Sequence, residues 1–252
     1  MSEGTIAVGT SGWSYDDWAG AFYPDEVPRS RWFDHYVTRF PTVEVNYSFY
    51  RLPSERTVAR WHDAAPGRFR FAVKGSRFIT HVRRLSDCQE QVDRFTQRVR
   101  GLRAFLGVVL WQLPPTLERD PRLLDGFLGF LPGSVRHAIE FRHRSWLTGA
   151  TFDALRERGV AQVSVSSSQM PADRTETADF VYVRFHGLGG GSAHDYPRRE
   201  LRPWARFLRD AHDRGLDGYV YFNNDAQARA PKNALELADQ LGAAARPWPP
   251  EG

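Results

Sequence analysis

The sequence predicts an α/β fold, a TIM-type (β/α)8 barrel, built as one domain over residues 1–242. Three observations point there. Eight short β-type runs alternate almost strictly with helical patterns along the 252-residue chain, and such alternation implies parallel strands. A chain of this length without an internal linker suits a single barrel. The polar residues of the runs collect at their C-terminal ends, the end at which barrels carry their sites. An open doubly wound sheet is the competitor, but no run is followed by a G-x-G-x-x-G fingerprint.

The elements follow in order. Ile6–Thr10 reads as the first strand and ends in Ser11-Gly12-Trp13. Pro28 and Ser30 introduce a helix with Trp32, Phe33, Tyr36, Val37 and Phe40 on one stripe. Thr42–Asn46 is the second strand, and Ser54 caps a helix through Val58 and Trp61. Phe69–Gly75 is the third, with Phe69, Phe71 and Val73 alternating. One long helix carries Val92, Phe95, Val99 and Leu102. Gly107–Leu113 is the fourth strand, stopped by Pro114-Pro115. Asp120-Pro121 starts a helix with Leu124, Phe127, Leu128 and Leu131. His137–Arg142 is the fifth strand, and Phe152–Arg158 a short helix closed by Gly159. Ala161–Ser166 is the sixth, followed by a polar stretch without a clear helix, so one irregular α/β repeat is expected here. Phe180–Gly187 is the seventh; Trp204, Phe207, Leu208 and Ala211 mark its helix. Gly218–Asn223 is the eighth, and Ala234, Leu235, Ala238 and Leu241 mark the last helix. Residues 243–252 read as a frayed tail.

Period 2 sorts each strand into two faces. In the seventh, Val181, Val183 and Phe185 suit the helix side, which leaves Tyr182, Arg184 and His186 inside the barrel. The same count places Glu44 and Asn46, Ala72 and Lys74, Gln112, Ala138, Glu140 and Arg142, and Tyr219, Tyr221 and Asn223 inside. Barrel interiors are normally Val, Ile and Leu, and each buried ion costs several kcal/mol before pairing. These charges therefore form either a functional site or a closed ion-pair network that fixes the core. Loops at the same rim add Trp13, Tyr15, Trp18, Phe22 and Tyr23, then Tyr47, Phe49, Tyr50 and Arg51, then His81, His143 and Trp146. They would stack on rings of a ligand or cap the barrel as a satellite core. Gly187, Gly189, Gly190 and Gly191 after the seventh strand suit either a phosphate loop or a lid.

Composition narrows the chemistry. One cysteine, Cys88, rules out a disulfide framework and a thiolate metal cluster. An N-terminus without an apolar signal region and the absence of a run of about 18 apolar residues predict a cytoplasmic protein without membrane contact. The net charge of +4 permits an anionic ligand. No G-K-[ST] loop supports a nucleoside triphosphate site. Glu44, Glu140, His186 and His81 offer oxygen and nitrogen ligands to a divalent metal, but no H-E-x-x-H spacing supports one. Glu44 and Glu140 could serve as an acid/base pair of a carbohydrate-active enzyme beside Trp13 and Trp146. Lys74 at a strand end suits a Schiff base or, more commonly, a charge partner.

Several motifs resemble the family of unknown function 72, the YecE-like proteins. They are Gly9-Thr10-Ser11-Gly12-Trp13-Ser14-Tyr15, Phe22-Tyr23-Pro24, Val43-Glu44-Val45-Asn46, Phe71-Ala72-Val73-Lys74 and Ile79-Thr80-His81. Gln112-Leu113-Pro114-Pro115, Glu140-Phe141-Arg142-His143, Tyr182-Val183-Arg184-Phe185-His186-Gly187 and Tyr221-Phe222-Asn223-Asn224 continue the match. The resemblance covers roughly residues 6–241 and implies a TIM-barrel-like fold. That barrel is similar to metal-dependent endonuclease and sugar-isomerase barrels, which implies nucleic acid or sugar phosphate as ligand class. This chain lacks the many His, Asp and Glu ligands of a trinuclear-zinc nuclease. The family pattern also places an Asp near the end of the sixth strand, where Ser164–Ser168 stand here.

Together these readings predict a hydrolase- or lyase-type enzyme for a small phosphate-bearing ligand or nucleic acid. Glu44 or Glu140 would be the base and His186 the acid or electrostatic partner. Arg142, Arg184 and Lys74 would hold the anion. Asn46, Gln112 and Asn223 would orient it, with Trp13, His81, His143 and Trp146 as further ligand-binding residues. A non-catalytic nucleic-acid or protein binder is the alternative.

Overall fold

The computed structural model describes residues 3–247. Eight parallel strands close into a barrel in sequence order, with the first pairing the last. They are β1 (Ile6–Ser11), β2 (Thr42–Val45), β3 (Arg70–Lys74), β4 (Leu106–Gln112), β5 (His137–Glu140), β6 (Ala161–Ser167), β7 (Phe180–Gly187) and β8 (Asp217–Phe222). The α-helices are α1 (Trp32–Tyr36), α2 (Tyr47–Tyr50), α3 (Glu55–Ala64), α4 (Gln89–Val99), α5 (Pro121–Phe130), α6 (Gly149–Glu157), α7 (Arg198–Asp213) and α8 (Arg229–Leu241). No α-helix joins β6 to β7, so the irregular repeat lies where the polar stretch predicts it. Among the described residues no helix is long and apolar enough to cross a membrane.

Local chemistry sets the helix starts. The Ser54 hydroxyl accepts from Thr57 N–H, the Asp120 carboxylate from Arg122 and Leu123 N–H, and the Thr148 hydroxyl from Thr151 N–H. Helix ends differ more from expectation. The first helix stops at Tyr36, and the chain reaches β2 through turns in which Thr38 and Arg39 N–H bond back three residues. The long helix breaks after Val99, and Leu102 sits in a tighter turn that ends at Arg103, where φ is +51°. In α8 the buried stripe runs Ala230, Ala234, Leu237 and Leu241, while Leu235 points to solvent.

The tail expected to fray is anchored as far as it is described. Ala244 is buried, Ala245 bridges Ile6, and Arg246 donates its N–H to the Ile6 carbonyl. Residues 248–252 of that tail lie outside the described residues.

Two apolar layers follow from the period-2 sorting. Val181, Val183 and Phe185 join the large core between strands and helices. Ala72, Val108, Leu110, Ala138, Val163, Tyr182, Tyr219 and Tyr221 fill the barrel from the inside. The inner layer gives way to charge toward the C-terminal ends of the strands. Register brings the polar ends side by side: Ser11 opposite Glu44, and Gln112 opposite Glu140. Glycine lets the wall close there. A Cβ on Gly75 would lie 2.2 Å from the Trp111 ring.

Candidate functional site

Arg184, on β7, is the centre of the barrel mouth, and it is 1% exposed. Its Nη1 donates to Glu140 Oε2 at 2.6 Å, and its Nη2 donates to Glu44 Oε1 at 2.6 Å. One guanidinium thus bridges two carboxylates from opposite sides. Glu44 is satisfied all round, because the Ser11 hydroxyl donates to Oε1 and the Tyr182 hydroxyl to Oε2, each at 2.7 Å. Gln112 Oε1 lies 3.4 Å from Arg184 Nη1. Glu140 Oε1 meets Arg142 Nε and lies 3.1 Å from His186 Nε2.

These contacts decide the protonation states. Burial, the largest single influence, would push both carboxyls up, but Arg184 together with Ser11, Lys74 and Tyr182 brings Glu44 down, and Arg142, Arg184 and His186 bring Glu140 well down. Both stay ionised at neutral pH. His186 is pulled down to about 4, chiefly by burial and by the Arg184 charge, despite the pull of Glu140. The neutral ring suits its surroundings. Nδ1 accepts from Asn223 Nδ2, an amide donor 3.3 Å away. Nε2 then carries the hydrogen, 3.1 Å from Glu140 Oε1, with Arg142 Nη2 at 3.0 Å and Arg184 Nη1 at 3.4 Å around it.

Lys74 differs from the other cations. It is 9% exposed, no carboxylate lies within ion-pair distance of Nζ among the described residues, and Nζ sits 4.1 Å above the Phe49 ring. Burial and the neighbouring Arg184 charge pull its amine down to about 8. The Phe49 ring also meets His81, 5.0 Å away. Burial lowers His81, and the four next contributions all come from cations: Lys74, Arg77, Arg142 and Arg84. Asn46 completes this side with a buried Oδ1 that has no hydrogen-bond partner.

The structure therefore gathers Glu44, Glu140, Arg142, Arg184, His186, Gln112, Asn223, Lys74, His81 and Asn46 at one mouth. Arg142, His186, Gln112, Asn223, Asn46 and His81 keep part of their surface accessible. The other three expected residues stand apart from it. Trp146 is fully buried; its ring stacks on Phe141, 5.0 Å away, and its indole N–H donates to the Leu117 carbonyl. A short turn after β5 folds the ring beneath the rim into the outer core, which corrects its placement as a ligand wall. Trp13 packs 5.0 Å from Phe33 at the flank of the barrel. His143 accepts from Ser145 N–H through Nδ1 and keeps part of its surface accessible; among the described residues it makes no hydrogen bond or ion pair with the mouth residues. Of the aromatic residues after β1, Trp18 and Tyr23 are buried, with Tyr23 stacked 4.5 Å from Trp32, so they cap the barrel. In the glycine loop, Gly187 N–H is taken by the Tyr196 hydroxyl at 2.9 Å.

Ser11 and Phe49 carry functions that sequence patterning did not give them. Extending the period of β1 by one residue would have placed Ser11 inward beside Glu44. Nothing in the sequence pattern places Phe49 beneath Lys74, because α2 reverses the chain there. Among the described residues no group of three or more His, Cys, Asp or Glu converges as a metal site would need.

Comparison with known proteins agrees with this architecture. The family model described as "Protein of unknown function DUF72" matches residues 7–251. UPF0759 protein YunF of Bacillus subtilis is 25% identical, with 94% of each chain covered. UPF0759 protein YecE of Escherichia coli O157:H7 is 30% identical over 67% of this chain and 62% of its own length. The crystal structure of a DUF72 family protein from Thermotoga maritima superimposes with a TM-score of 0.86 at 29% identity, covering 94% of this chain and 99% of that one. A DUF72 family protein from Enterococcus faecalis, at 20% identity, shares the fold with a TM-score of 0.83 over 98% of this chain and 99% of its own.

Proposed function

The chain belongs to the DUF72 family, and from its barrel mouth we propose an enzyme of hydrolase or lyase type that acts on a phosphate-bearing ligand, a nucleic acid or a sugar phosphate. The observation that carries this is the Lys74 amine, 9% exposed, seated over the Phe49 ring beside His81 with no carboxylate within ion-pair distance of Nζ among the described residues. Glu44 and Glu140 form their ion pairs with Arg184 and the inner edge of Arg142. An anion placed between Arg142, Lys74 and His81 would complete the charge balance.

Arg184 would then act indirectly. Its Nη1 and Nη2 are committed to Glu140 and Glu44, and its Nε is buried without a hydrogen-bond partner among the described residues. It holds Glu140, the carboxylate that meets Arg142 and His186. Arg142, with 16% of its side chain exposed, would contact the phosphate. The Asn223 amide, beside His186 Nδ1, would donate to an oxygen that gains charge during reaction, with His186 as its electrostatic partner. Lys74 would add charge while protonated.

The carbohydrate reading fits less well. A retaining glycosidase needs one carboxyl kept protonated at neutral pH, whereas here both carboxyls are held ionised. Within the phosphate class one observation favours nucleic acid. Tyr47, Tyr50 and Phe78 are exposed by 48%, 71% and 44% on the segments after β2 and β3, and the Arg83 guanidinium lies 5.9 Å from the centre of the Phe78 ring. Exposed rings beside cations suit stacked bases.

A thermal-shift panel tests the proposal. It would hold nucleotides, single- and double-stranded oligonucleotides, sugar phosphates and their neutral counterparts. Stabilisation by one phosphorylated class, lost in Arg142→Gln, is expected. Stabilisation by neutral sugars alone would refute it.

A further inference from the structure

The opposite end of the barrel carries a second concentration of positive charge. A cavity of about 520 Å³ opens at the N-terminal ends of the strands, lined by Arg70, Arg100, Arg103, Arg136 and Arg246. Only one carboxylate, Asp217, lines it. That carboxylate is already engaged: Arg136 Nη1 donates to it at 2.8 Å, and Thr5 N–H donates at 3.2 Å. Asp179 reaches Arg136 from outside at 3.5 Å.

Among the described residues the remaining guanidiniums have no carboxylate within ion-pair distance. Arg70 donates to the carbonyls of Arg68 and Phe69, Arg100 to the Ser134 hydroxyl, and Arg246 to the Arg68 carbonyl and the Thr5 hydroxyl. Arg246 also keeps a buried Nε without any partner. Arg103 stands at the cavity edge in a left-handed backbone conformation, with φ at +51°. A non-glycine residue holds such a conformation only when its surroundings fix it. Burial and the facing Arg70 charge both disfavour the charged form of Arg246.

From this geometry we infer that the N-terminal face of the barrel is a second binding site, for a small polyanion carrying two or more phosphate groups. Arg70, Arg100, Arg103 and Arg246 together carry more positive charge than one phosphate group neutralises, which calls for a ligand with two or more such groups. The volume lies within the range of small-ligand sites. Arg136 is tied to Asp217 and forms the wall, while Arg70, Arg100, Arg103 and Arg246 provide the free positive charge. This site lies at the far end of the strands from Arg142 and does not depend on the proposed chemistry there.

The test is calorimetric titration of the full chain with inorganic tripolyphosphate, pyrophosphate and orthophosphate at matched ionic strength. Tripolyphosphate should bind saturably and at least about tenfold more tightly than orthophosphate. The double variant Arg100→Gln, Arg103→Gln alters two exposed side chains, and it should weaken tripolyphosphate binding by about tenfold or more. Arg142→Gln should leave intact the tripolyphosphate component that the double variant removes. The inference is overturned by the absence of saturable binding, by equal affinity for all three anions, or by indifference to the double variant. Loss of tripolyphosphate binding in Arg142→Gln would also overturn it, by assigning the anion to the mouth.

Discussion

Replacing Arg184 by Met tests what the bridging guanidinium does. The variant keeps the volume and removes the charge between Glu44 and Glu140. Glu140 retains Arg142 and His186, but Glu44 keeps only the Ser11 and Tyr182 hydroxyls. Both carboxylates are fully buried. Removing one partner of a buried ionic pair costs about 3–5 kcal/mol, a large part of the roughly 5–15 kcal/mol that holds a domain folded. The loss should depend on pH. Without the guanidinium, burial dominates and raises the Glu44 carboxyl above its usual range. A carboxyl whose folded pKa is raised takes up a proton on folding, so the variant regains stability as pH falls. The stability gap between wild type and Arg184→Met should therefore be about 3–5 kcal/mol at pH 7.5 and shrink toward pH 5.5. Urea denaturation followed by tryptophan fluorescence measures both values, and the titration of His137, common to both proteins, cancels in the difference. Adding Glu44→Gln to Arg184→Met should recover part of the loss. A gap below about 1 kcal/mol that is constant with pH would refute the bridging role.

Three further outcomes are expected. His186 and His137 both have pKa values near 4 when folded, against 6.5 as the ordinary value. Their contribution is complete above pH 6.5 and lost as pH falls toward 4, by about 3 kcal/mol for each; denaturation midpoints that stay level between pH 7 and 4.5 would contradict this. Lys74 loses its proton near pH 8, so the affinity of a phosphorylated ligand at the mouth should fall as pH rises from 7 to 9, and Lys74→Met should remove that slope. Gly75→Ala forces a methyl group toward the Trp111 ring and should lower stability by about 1–3 kcal/mol, read as a shift in urea midpoint; an unchanged midpoint would show that the ring gives way.

The barrel and most of its mouth were legible because a strand exposes its two faces in strict alternation. Val181, Val183 and Phe185 against Tyr182, Arg184 and His186 needed no further information. Glu44 and Glu140 became visible by the same count on β2 and β5. What the pattern could not supply was pairing across the barrel. That Arg184 meets both glutamates depends on the closed sheet and its register, which join residues 140 and 44 positions apart. Loops were less legible still. Trp146 and Trp13 sit at strand ends in sequence, yet short turns direct their rings into the outer core, where burying a large aromatic surface outweighs exposure at the rim. The break after Val99 escaped notice because Leu102 continues the apolar stripe while Gly101 and Arg103 end the helix. The arginine-lined cavity was hidden for a different reason: its members come from five separated segments, and at the N-terminal ends of strands no periodicity links them.

A phosphate site at the mouth of the barrel is the central proposal. Its most direct test is the dissociation constant of the strongest phosphorylated ligand and of its dephosphorylated twin, measured by calorimetry in wild type and in Arg142→Gln. Wild type should prefer the phosphorylated compound by about tenfold or more, and that preference should collapse in the variant. Equal binding of the twins by wild type, or a preference that survives Arg142→Gln, would contradict the account.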